Sequence, residues 1–201
     1  MSHYVVTMTR TFGSGGRTIC RMLSENLGIP YYDKDLIKMA SEVSGISETL
    51  FNLSDEKLKS GFFKKKYYEI PVSPDSADYL SEANLFGFQA EVIRALYERE
   101  NCVIVGRCAD FILNQPDVIR VFTYASREAS IRNVCEAYSI SEKEAVKLIE
   151  SIDKERAAYY KHITGHDWDC ARNYDLCIDT SNLSYEKCVE IIKDYIKIKN
   201  K

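Results

Sequence analysis

Residues 10–18 read Arg-Thr-Phe-Gly-Ser-Gly-Gly-Arg-Thr, a set of types suited to handling a polyphosphate. Three glycines in four positions let the backbone curl so that successive N–H groups point at one anion. A helix following the curl adds the positive end of its dipole. Arg17 brings a full charge, and the Thr18 hydroxyl is placed to ligate Mg²⁺. The run resembles the phosphate-binding loop G-x-x-x-x-G-K-[ST], with Thr11 where its first glycine stands and Arg17 where its lysine stands. Gly13, Ser14, Gly15, Gly16, Arg17 and Thr18 are then expected to cradle the phosphates of ATP. The alternative, a glycine turn that only joins a strand to a helix, does not call for Arg10, Arg17 and Thr18 around it.

Other chemistry-bearing residues stand at the ends of apolar runs. Asp33 closes Tyr31-Tyr32 and suits either the water shell of a metal ion or the N-cap of the next helix. Arg107 follows Val103-Ile104-Val105-Gly106, where a guanidinium suits bidentate contact with phosphate; an ordinary surface arginine is the alternative. Arg127 and Arg132 come later, then Asp153, Arg156 and Tyr160, spaced i, i+3 and i+7 so that one helix face presents all three. A solvated face laced with ion pairs would show the same spacing.

These residues need a frame. Tyr4 to Thr9, Ile29 to Tyr32, Cys102 to Gly106, Val118 to Tyr124 and Tyr174 to Asp179 are short, β-branched or apolar runs that read as strands. Helical periodicity fills the intervals. Ile19, Met22, Leu23 and Leu27 form a stripe ended by Gly28 and Pro30; Leu36 to Val43 and Ala83 to Glu100 are helical. Ser126 caps a helix to about Tyr138, Ser141 and Glu144 form a capping box for another, and Ser184 caps a closing helix with Val189, Ile192 and Ile196 on one stripe. The interval from Ser44 to Glu82, with Lys57, Lys59, Lys64, Lys65, Lys66, Pro71 and Pro74, reads as short helices and a loop outside the core, its lysines a solvated face. Strands alternating with helices predict an α/β fold with a parallel sheet covered on both faces. On such sheets ligands bind at the carboxyl ends of the strands, which is where the glycine loop and Arg107 fall.

Composition narrows the partners. The 201 residues are 45% hydrophobic and 28% charged with net charge −3, enough for one core and without the positive excess that recruits nucleic acid or an acidic membrane. No apolar run approaches a membrane span, and Met1 to Thr9 lacks the apolar core of a signal peptide. Seven cysteines without a C-x-x-C pair, several inside apolar stretches, fit a reduced cytoplasmic compartment.

The order FGSGGRT, IPYYDKDLI, VIVGRCADFIL, SREASIRNV, DKERAAYY and YDLCIDTSNLS resembles the cytidylate kinase-like branch of the nucleoside monophosphate kinases over nearly the whole chain. The resemblance implies a single three-layer P-loop domain over residues 1–201 with a five-stranded parallel sheet, an acceptor-binding insertion over about 34–98 and a lid over about 139–170. It implies ATP as phosphoryl donor, Mg²⁺ as cofactor and a nucleotide or other small phosphate acceptor. Gly13 to Thr18 would hold the donor phosphates and Arg107 the acceptor phosphate. Asp153 and Arg156 match the last two members of the acceptor signature R-D-x-x-D-x-x-R, and Arg127 and Arg132 lie near the lid arginines that face ATP. Its leading arginine falls on Ile149. In D-S-G-A-I-Y-R the serine falls on Lys34 and the terminal arginine on Met39, so cytidine monophosphate is expected to be a poor acceptor.

Overall fold

The centre of the molecule is β1 (Val5–Arg10), every residue of which is buried. A strand buried on both faces needs neighbours on both edges and cover on both sides. The computed structural model, which describes residues 3–54 and 72–199, supplies both. β2 (Tyr31–Tyr32), β3 (Cys102–Val105), β4 (Val118–Tyr124) and β5 (Leu176–Asp179) join β1 in one five-stranded sheet of order β2-β3-β1-β4-β5, parallel throughout. The register sets Val5 against Cys102 on one side and Val118 on the other.

The helices divide between the two faces. α1 (Gly16–Leu27) and α8 (Tyr185–Lys199) cover one, burying Ile19, Leu23, Val189 and Ile192 against Val6, Met8 and Val121. α2 (Asp35–Ser44), α3 (Glu48–Ser54) and α4 (Glu82–Arg99) cover the other, burying Leu36, Phe51 and Ile93 against Val5 and Ile104. Each such side chain contributes about 1.5–3 kcal/mol when fully buried. The interval from Ser44 to Glu82 is therefore not wholly outside the core, as its mixed composition suggested: Ile46 and Phe51 are buried, Phe51 completely. One aromatic on a short helix suffices to dock it, although no periodicity over seven residues announces it. The lysines from Lys57 to Lys66 and Pro71 lie outside the described residues.

Local stop and start signals act as their chemistry requires. Gly28 ends α1 at φ 65°. α6 (Arg127–Tyr138) begins where the Ser126 hydroxyl accepts from the Ala129 N–H, and α7 (Glu142–Thr164) carries the full Ser141–Glu144 capping box. α5 (Ala109–Ile112), a single turn after β3, was not foreseen. A third apolar cluster gathers Phe122, Tyr159, Tyr160, Trp168 and Tyr174 between α7 and the carboxyl end of β4. Among the described residues no helix is long and apolar enough to cross a membrane.

Candidate active site

The glycine loop lies between β1 and α1 at the carboxyl edge of the sheet. Gly13 at φ 87° and Gly15 at φ 76° take left-handed conformations that side chains disfavour. Ser14 between them is fully buried, its hydroxyl donating to the Thr11 carbonyl at 2.9 Å. The loop carbonyls are held from outside: Asn133 Nδ2 donates to Gly13 O at 2.8 Å and the Thr180 hydroxyl to Ser14 O at 2.9 Å. The first part of the loop also spends its N–H groups within the protein, Thr11 donating to Thr123 O at 2.9 Å and Ser14 to Thr11 O at 3.4 Å, so a phosphate would be met by the part that leads into α1. Asp153 fixes the entry, its Oδ1 accepting from the Phe12 N–H at 2.8 Å, and Arg156 Nη1 donates to Arg10 O at 3.3 Å.

Two clefts meet here. The larger runs along the loop from Arg10 through Thr18 and is walled by Asn133, Tyr138 and Tyr185. The smaller, a narrow one, opens beyond the ends of β1 and β3; Arg10, Arg107 and Arg156 line it together with Tyr160 and Trp168. Arg10 and Arg107 are buried, and Arg107 Nη1 donates to Gln89 Oε1 at 3.2 Å. Gly106, Arg107 and Cys108 have φ of 71°, 58° and 53° in succession. For the two residues with side chains this conformation costs about 1–2 kcal/mol each, strain that concentrates where a side chain must be aimed.

Asp110 lies beneath the smaller cleft. Its Oδ2 accepts from the Tyr160 hydroxyl at 2.6 Å and its Oδ1 from Thr9 at 3.4 Å. Burial raises its pKa, against the opposing effect of these hydrogen bonds and of Arg120. The Tyr160 hydroxyl is pushed up by burial and then by the Asp110 charge. A raised carboxyl pKa has a definite sign. Below the unfolded value, about 3.9, both states are protonated and the contribution is fully present; it is lost as pH rises through the folded value. Relative to Asp110→Asn, the wild type should gain stability as pH falls through that window. Urea midpoints of the two proteins between about pH 7 and pH 3 measure this; a constant difference would refute it.

The sequence-expected residues are only partly assembled. Gly13, Gly15, Gly16, Arg17 and Thr18 line the larger cleft and Arg107 the smaller, while Arg156 reaches both. Arg17 does not extend along the loop unopposed: its Nε lies 2.7 Å from Asp33 Oδ2, and Nη2 donates to Oδ1 at 3.3 Å. Asp33 is thus paired with Arg17, and the N-cap of α2 is Lys34. Asp153 holds the loop entry and lines neither cleft. Arg127 and Arg132 do not reach the clefts. Arg127 pairs with Glu150 at 2.9 Å on the exposed surface, and Arg132 is exposed one position off the α6 stripe of Asn133, Val134 and Ala137 that faces the loop. Sequence reasoning missed Asn133, Gln89 and Tyr185, whose roles come from packing across the chain. Arg10 was findable by the strand-end rule that selected Arg107.

Mg²⁺ can be tested only against the donor set. No three His, Cys, Asp or Glu side chains among the described residues are grouped to hold a metal. An ion carried mainly by substrate phosphates and its own waters needs no such cluster; the exposed Thr18 hydroxyl lines the larger cleft and would be within the same space.

Comparison with known proteins agrees with this architecture. Residues 5–182 match the cytidylate kinase-like family. A cytidylate kinase of Pyrococcus abyssi is 28% identical over 194 residues, covering 94% of this chain and 91% of that one. An uncharacterized protein from Eubacterium ventriosum superposes with a TM-score of 0.72 at 26% identity, covering 97% of this chain and 99% of that one. Shikimate kinase from Bacteroides thetaiotaomicron shares the fold, with a TM-score of 0.54 at 13% identity, covering 98% and 99% of the respective chains. With a parallel five-stranded sheet, a glycine loop between its central strand and first helix, and a match over most of its length, the chain belongs to the cytidylate kinase-like family of P-loop kinases.

Proposed function

We propose that the protein transfers the γ-phosphoryl group of ATP to an acceptor that itself carries a phosphate. The observation that carries this reading is the smaller cleft, where Arg10, Arg107 and Arg156 surround a volume adjoining the loop. A phosphate-bearing acceptor suits three guanidinium groups gathered around one volume; Arg156 Nη1 also lies 3.5 Å from Asp153 Oδ1, so the acceptor phosphate adds to a carboxylate already present. Such an acceptor is already a nucleophile at neutral pH, so the protein's task is alignment and charge stabilisation. The loop N–H groups hold the donor phosphates, Arg107 and Arg156 orient the acceptor, and Trp168 and Tyr160 wall the cleft against water. Mg²⁺, when bound with ATP, supplies further charge neutralisation on the phosphates.

The relatives named cytidylate kinase make a nucleoside monophosphate the first class to try. Lys34, Met39 and Ile149 stand where that family's signatures carry Ser, Arg and Arg, so cytidine monophosphate is expected to be a weak member of the class. The test is phosphate transfer from ATP to a panel of nucleoside and sugar monophosphates, with phosphate-free polyols as controls. Turnover confined to monophosphates supports the reading; turnover only of phosphate-free acceptors overturns it. A second reading, nucleotide binding without turnover, draws on the Arg17–Asp33 pair, which occupies the guanidinium nearest the expected lysine position. ATP binding with no transfer to any of the panel would favour it.

A further inference from the structure

The backbone moves the frame in which the loop is compared with its pattern. In G-x-x-x-x-G-K-[ST] the last glycine supplies the left-handed turn and the lysine opens the helix. Here the left-handed glycine before the helix is Gly15, which is its N-cap, and the first helical residue is Gly16. Gly16 therefore stands in the lysine's place and Arg17 one position beyond it. Counting glycines in the sequence alone takes Gly16 as the turn.

Gly16 does not have positive φ, so its missing side chain answers a need for space. A Cβ there would lie 2.7 Å from Arg10 Cβ and 2.6 Å from Thr123 Oγ1. Arg10 follows Val6 and Met8 on the α1 side of β1, and its side chain takes the room that a residue at position 16 would use. It is 6% exposed, and among the described residues it and Arg156 are the two that line both clefts. The charge at position 17 is turned to Asp33 and lines only the larger cleft.

We propose that Arg10 supplies to the transferring phosphoryl group the positive charge that a lysine opening the helix would supply, entering from the end of β1 instead of from α1. The inference rests on the phosphotransferase reading above. In the step served, the bond from the γ-phosphorus to the ADP oxygen breaks as the bond to the acceptor oxygen forms. ADP keeps the electron pair of the broken bond. Arg10 stays protonated and exchanges no proton. Its position between donor and acceptor clefts places the charge where it builds during transfer.

The test uses calorimetric titration of the whole protein with MgATP and with MgADP, beside γ-phosphoryl transfer to whichever acceptor the panel identifies. Arg10→Met should lose about tenfold or more in ATP affinity and distinctly less in ADP affinity, with transfer down about a hundredfold. Gly16→Ala should shift the same ATP-over-ADP preference in the same direction by displacing Arg10 without removing its charge. The double variant Arg10→Gly/Gly16→Lys, which moves the cation to the helix, should recover much of that preference. It also keeps the inference testable if Arg10→Met does not fold. A folded Arg10→Met with wild-type ATP-over-ADP preference overturns the inference, as does a double variant no better than Arg10→Gly alone. A wild type that binds neither nucleotide removes the phosphotransferase reading and this inference together. A wild type that binds ATP while Arg10→Met is unaffected removes this inference only.

Discussion

Arg107→Ala should cut kcat/KM for the phosphate acceptor by about a hundredfold or more, and Arg107→Gly should cut it equally while giving the more stable protein. The two variants separate charge from strain. Both remove the guanidinium from the smaller cleft and its bond to Gln89. Position 107 sits at φ 58°, which costs an L-residue about 1–2 kcal/mol and glycine little. Glycine at this position should therefore melt about 2–4 °C above alanine for each kcal/mol relieved. Steady-state kinetics and thermal melts of the three proteins check both halves. Equal melting temperatures would show that the turn after β3 is unstrained. Near-wild-type kcat/KM would remove Arg107 from the acceptor site. Arg107→Lys, which keeps the charge without the planar fork, should fall between.

Gly15→Ala should lower stability by about 2–3 kcal/mol and weaken ATP binding by about tenfold or more. Two separable causes act. Gly15 has φ 76°, and a Cβ there would lie 2.3 Å from the Tyr185 ring. Tyr185→Ala clears the ring but leaves the backbone as it is. In the double variant the steric part of the loss should vanish and the conformational part persist, so the two substitutions should be non-additive. Urea denaturation gives the stability terms and calorimetry the affinity. Full additivity would mean that Tyr185 moves aside without cost, and unchanged ATP affinity would mean that the loop is not the donor site.

What the sequence disclosed and what it withheld divide along a physical line. Features fixed by near neighbours were legible. Gly28 closes α1, Ser126 and the Ser141–Glu144 pair open α6 and α7, and β4 runs from Val118 to Tyr124 as its apolar pattern predicts. Features fixed by which distant side chain arrives first were not. Nothing local says that Asp33 takes Arg17, that Glu150 takes Arg127, or that Asp153 turns to the Phe12 N–H. The loop is the instructive intermediate. Its existence was legible from three glycines, but its frame depended on which of them carries positive φ and which merely makes room, and both look the same in a sequence. β2 lost its first two expected residues because the Ile29 N–H is still bonded to Ser24 O at the end of α1 and Pro30 has no N–H to give to β3, only a carbonyl that accepts from Val103.

The sheet order also governs how the molecule must come into being. β1 lies near the start of the chain, yet both strands that flank it begin roughly 100 residues later. During synthesis at about 5–20 residues per second, this apolar segment waits about 5–20 s before either edge can be satisfied. α1, its immediate successor, offers one early partner by burying Ile19 and Leu23 on one face, but a helix cannot pair strand edges. The segment that leads into the glycine loop is thus the one most exposed to wrong strand pairing in a nascent chain. Variants that slow completion of β3 or β4 should lower the yield of folded protein before they alter the stability of what does fold.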